Sequence, residues 1–82
     1  MDFGMALKVL KEGKKVARKG WNGKGMWLAL IRTEGYAVNC IPECDRDLVQ
    51  LPWIGMKTAD NKFVPWLTSQ TDVLAEDWGI VD

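Results

Sequence analysis

Met26-Trp27-Leu28-Ala29-Leu30-Ile31-Arg32 is the stretch on which the fold turns. It is apolar at odd and even positions alike. That predicts a β-strand covered on both faces, at the centre of a sheet rather than at its rim. The run is far too short to cross a bilayer.

The segments on either side supply what such a strand needs. Upstream, Asp2 suits a helix N-cap, and Phe3, Ala6, Leu7 and Leu10 follow at helical spacing. Gly13 suits the helix end, and Lys14 and Lys15 suit its negative pole. The spacing predicts a helix over about residues 3–12 whose apolar stripe packs on a core. Lys15–Arg18 reads as a short strand with Val16 and Arg18 on one face. Asn22-Gly23 is a turn signal inside the loop that follows.

Downstream, Glu34-Gly35 predicts a turn, with Tyr36–Asn39 pairing back as a third strand. Residues 40–52 read as an irregular acidic loop. Trp53–Thr58 and Phe63–Trp66 predict a hairpin, and Pro65 puts its second arm at an edge or a bulge. Ser69 predicts a helix cap, with Asp72 three residues on as a weak capping box. A short helix should then run through Val73–Ala75 and end near Asp77-Trp78, with Gly79–Val81 as a last strand. Trp27 is expected in the core, as is Trp66 on an edge strand; Trp53 and Trp78 stay undecided. The order predicts one α+β domain over residues 1–82. Its N-terminal helix packs on a small antiparallel sheet, and a short helix lies near the C-terminus.

Composition narrows the function. The chain has 82 residues, 48% of them hydrophobic, which suits one small globular domain. A core of that size leaves typically ~3–5 kcal/mol of net stability, so association is the expected way to bury more. There is no histidine, and the two cysteines, Cys40 and Cys44, lack the usual zinc-knuckle spacing. Neither a metal nor a cofactor is expected, and the cysteines read as reduced thiols rather than a disulfide. The start lacks a basic segment followed by a long apolar one, so a soluble cytosolic protein is expected. Residues 1–33 carry eight Lys/Arg against two acids, a net +6, and residues 34–82 carry a net −6. The total of zero argues against bulk nucleic-acid binding, which draws on many phosphate contacts.

Enzyme chemistry finds little here. Without histidine there is no Ser-His or Cys-His pair, and no phosphate-cradling glycine loop is present. Binding chemistry finds more. In Val16-Ala17-Arg18-Lys19-Gly20-Trp21-Asn22-Gly23-Lys24-Gly25, a tryptophan stands among glycines, an asparagine and cations. Trp21 can stack on a base or cover the core, and Asn22 can meet a base edge or simply make the turn. Arg18 and Lys24 can meet phosphate or lie in solvent. Ser69, Gln70 and Thr71 put donors at a helix start, and Asp72 can accept from ribose hydroxyls or cap the helix.

Several motifs in order resemble one family. They are the N-terminal Phe3-Gly4 to Arg18, then Gly20-Trp21-Asn22-Gly23-Lys24-Gly25-Met26, then Met56-Lys57-Thr58-Ala59-Asp60. The last run is Val64-Pro65-Trp66 through Ser69-Gln70-Thr71-Asp72 to Asp77-Trp78. Together they are similar to the second class of phage Thoeris anti-defence proteins, everywhere except about residues 33–55. The resemblance implies a sponge that binds a cyclic ADP-ribose-type signal and holds it without cleaving it. It also implies a homotetramer with pockets shaped between subunits, at work in the cytoplasm of the infected bacterium. On that basis Arg18, Trp21, Asn22, Lys24, Trp66, Ser69, Gln70 and Asp72 are the expected ligand-binding residues. The alternative is a small phage adaptor that binds and inhibits a host protein, which the charge split and five tryptophans also suit.

Overall fold

The computed structural model describes residues 1–21, 25–32 and 51–82. Its elements run α1 (Phe3–Lys11), β1 (Lys15–Arg18), β2 (Trp27–Ile31), β3 (Trp53–Lys57), β4 (Phe63–Pro65), α2 (Gln70–Val73) and β5 (Trp78–Val81). The strands form one sheet in the order β4-β3-β2-β1-β5, and every neighbouring pair is antiparallel. This is the α+β arrangement expected, with β2 in the middle of the sheet.

Local chemistry sets the ends of α1. The Asp2 carboxylate accepts from the Met5 backbone N–H at 2.9 Å. At the other end Gly13 adopts φ 91°, the Gly13 N–H donates to the Leu10 carbonyl and the Lys14 N–H to the Val9 carbonyl. That pair of bonds is a Schellman close, and its left-handed residue is why a glycine stands there.

Strand pairing fixes which residues share a face. Val16 pairs with Leu28 and Ile80, Leu28 with Met56, and Met56 with Val64. Partners across an antiparallel ladder point the same way, so these residues line one face. Helix α1 covers that face over β1, β2 and β5. Ala6, Val9, Leu10, Val16, Leu28 and Trp78 form the buried core between them.

Two expectations need correction, and another lies outside the described residues. Trp27 is half-buried and lies on the opposite face, near Phe63 and beneath the Lys15 ammonium, 4.8 Å from its ring. The strand alternates, and the helix side went to Leu28. Tyr36–Asn39, placed beside β2 by the sequence, lies outside the described residues, as do Cys40 and Cys44. Finally, α2 is a single turn that stops at Val73; with Val73 and Leu74 exposed, little apolar burial supports a longer helix. Pro65 sits in β4 at the sheet edge, where its missing N–H costs no ladder bond.

Leu28 is fully buried at the centre of this packing. Leu28→Ala should cost ~2–5 kcal/mol, comparable to the whole stability of so small a domain. Urea unfolding followed by circular dichroism should show the variant largely unfolded without denaturant.

Candidate functional site

Trp78 is where the site begins. It opens β5 opposite Arg18 and is 2% exposed. Its ring meets Phe3 at 5.4 Å, Trp21 at 5.4 Å and Trp66 at 6.0 Å, the last two edge-on at 81° and 86°. Edge-to-face contact suits the ring quadrupoles and adds to area burial. The core thus ends in an aromatic cluster whose outer members, Trp21 and Trp66, reach the surface.

There they line a cleft of about 380 Å³, together with Met26, Met56, Pro65, Leu67 and Asp72. That volume lies toward the small end of ordinary ligand pockets, roughly 300–1,000 Å³. The walls are aromatic, thioether and aliphatic groups, and one carboxylate is the polar feature.

The carboxylate is tightly placed. Asp72 Oδ1 accepts from Arg18 Nη1 at 2.7 Å and from Trp21 Nε1 at 3.2 Å. The Asp72 backbone N–H donates to Ser69 Oγ at 3.1 Å, and its carbonyl accepts from Trp78 Nε1 at 3.0 Å. Ser69 therefore caps α2 as expected. Asp72 does not complete a capping box: its side chain turns away to Arg18 and Trp21, which offer stronger, charge-assisted partners. Arg18 also donates Nε to Asp77 Oδ1 at 2.8 Å, and Asp77 Oδ2 accepts from the Gly20 N–H at 2.8 Å.

This arrangement decides charge. Burial pushes the Asp72 carboxyl up, but the hydrogen bonds led by Arg18 and Trp21 outweigh it and hold it below the usual carboxylate range. The hydrogen bond from Arg18 holds Asp77 below that range as well, against a smaller upward push from burial. One cation thus sits between two ionised carboxylates, and the group is net negative.

The structure brings Trp21, Trp66 and Asp72 to one cleft. It puts Arg18 behind the cleft, committed to two carboxylates. Ser69 and Gln70 are exposed on the turn next to it. Asn22 and Lys24 lie outside the described residues. Sequence reasoning missed Met26, Met56, Pro65 and Leu67 as lining residues. Strand alternation would have found Met56, which shares a face with Leu28 across the ladder. Nothing in local patterning pointed to Leu67.

Comparison with known proteins now bears on the site. The family profile described as "Thoeris anti-defense 2-like domain" matches residues 1–81. The match runs through residues 33–55, which the motifs alone had left out. A protein named "Thoeris anti-defense 2", from Bacillus phage SP01, is 50% identical over 84 aligned residues, covering 99% of this chain and 94% of that protein.

The ion network yields a pH prediction. Carboxylates depressed in the folded state stabilise it above their ordinary value, ~3.9, and that stability drains away as pH falls through the depressed values. Arg18→Ala should therefore lower the melting temperature near neutral pH, and the gap from wild type should close in acid. Thermal unfolding across a pH series reads this, and a gap that stays constant into strong acid would contradict it. Motif order, profile and relative agree that the chain belongs to the Thoeris anti-defence 2 family.

Proposed function

We propose that the protein binds a cyclic nucleotide immune signal of the cyclic ADP-ribose type and sequesters it without cleavage, so blocking Thoeris defence. Family membership supports the anti-Thoeris role. The observation that carries the ligand reading is the cleft, in which two tryptophans flank a fixed carboxylate. A base or sugar face fits against Trp21 and Trp66, and Asp72 accepts from a ring N–H or a hydroxyl. Phosphates would turn away from the ionised Asp72. Ser69 and Gln70, exposed on the adjoining turn, stand as further contacts, and Arg18 acts by holding Asp72.

The groups on hand support retention over turnover. The chain has no histidine, and the cleft's carboxylate is ionised and already hydrogen-bonded, a poor general acid. A sponge works by mass action, so it must bind tightly and be abundant relative to the signal.

The same reading includes self-association, in the form of a homotetramer acting in the cytoplasm of the infected bacterium. Leu67, 89% exposed on the cleft rim, is an apolar side chain that a neighbouring subunit would cover. Trp53 and Phe63, both partly exposed, give the helix-free face of the sheet a similar character. No described helix is long and apolar enough to cross a membrane.

Two measurements follow. Titration with cyclic ADP-ribose should quench tryptophan emission, and Trp21→Ala should weaken binding by at least about tenfold, the effect of losing one stacking wall. Unchanged emission on titration, with capture of a host protein instead, would favour the adaptor reading. Light scattering should give four chain masses, and Leu67→Glu should lower that number; a monomeric wild type would overturn the assembly.

A further inference from the structure

Asp77 does not line the cleft, yet it grips the chain on which Trp21 is mounted. Its carboxylate accepts from Arg18 Nε through Oδ1 and from the Gly20 N–H through Oδ2, each at 2.8 Å. Its backbone carbonyl accepts from the Lys19 N–H at 3.1 Å. Three successive residues before Trp21 are thus tied to one aspartate. The fit is close: a Cβ added at Gly20 would lie 2.9 Å from Asp77 Oδ2, so a larger residue there would push the carboxylate out.

The circuit closes through Arg18. Its guanidinium spans Asp77 and Asp72, and Asp72 in turn takes the Trp21 indole N–H. Trp21 is therefore held at both ends, its backbone turn by Asp77 and its ring by Asp72. Its neighbour Trp78 is held separately, by the core and by its own bond to the Asp72 carbonyl.

We propose that Asp77 is a positioning residue: acting through Arg18 and the Gly20 turn, it sets the Trp21 ring as a cleft wall and so sets ligand affinity without touching the ligand. This rests on reading the cleft as the nucleotide site. A wall already in place before the ligand arrives loses no side-chain freedom on binding, which raises affinity. A wall freed from Asp77 has to be ordered each time. The split between Trp21 and Trp78 makes the effect local. Loss of Asp77 loosens one indole and leaves the other.

The test uses the full chain, with cyclic ADP-ribose as the probe, in wild type, Asp77→Ala and Asp77→Asn. Calorimetry gives the Kd, and NMR gives the hydrogen-exchange rate of each tryptophan indole N–H, Trp21 being assigned with Trp21→Phe. Asp77→Ala should raise Kd about tenfold or more and speed exchange at Trp21 but not at Trp78. Asp77→Asn keeps an oxygen for Gly20 and loses the charge that meets Arg18, so it should fall between the two; it also carries the test if Asp77→Ala does not fold. Unchanged affinity overturns the proposal, as does faster exchange at both indoles together, which marks general loosening. If wild type itself does not bind the probe, the nucleotide reading fails, and exchange alone decides: unchanged Trp21 exchange in the variants then overturns the positioning role.

Discussion

One oxygen of Asp72 receives two donors, the Arg18 guanidinium and the Trp21 indole, and much of the site depends on that meeting. A carboxylate drawn this far out of water is tolerable only with such partners. Through it the end of β1, the loop after it and the turn of α2 are joined, and the Asp72 carbonyl adds the start of β5 by way of Trp78. Helix α2 has four residues and no buried side chain of its own. A single turn does not hold itself in water. It is held by the Ser69 cap and by what Asp72 grips.

The aromatic cluster turns this local knot into a surface. Trp78 is core, and Trp21 and Trp66 are its continuation outward, packed edge-on against it. Each of these two rings therefore packs on the core on one side and faces the cleft on the other. A protein whose proposed task is to hold a molecule gains from walls that do not move. Among the described residues no cation lines the cleft, and the arginine that the sequence offered to phosphate is committed to aligning Asp72.

Much of the fold was legible in the chain, because its signals are local. The Asp2 cap, the Gly13 close, the double-sided apolar run at Met26–Arg32 and Pro65 at an edge each constrain the backbone within a few residues. Trp27 was misread because an unbroken apolar run hides which face the helix takes. Trp21, Trp66 and Asp72 were legible as candidates from residue type and from the family motifs. The role of Arg18 was not, since a cation beside a tryptophan looks the same in sequence whether it faces phosphate or two carboxylates more than fifty residues away. Leu67 likewise takes its place in the cleft from tertiary packing alone.

The proposed function is capture without chemistry. Incubating excess protein with cyclic ADP-ribose, removing the protein with its cargo by filtration, and heat-denaturing what was retained tests it most directly, with mass spectrometry on both fractions. Sequestration predicts that the nucleotide disappears from the filtrate and returns intact, at its starting mass and amount, from the denatured protein. Nucleotide that stays in the filtrate, or that returns as a linear or cleaved product, would contradict it.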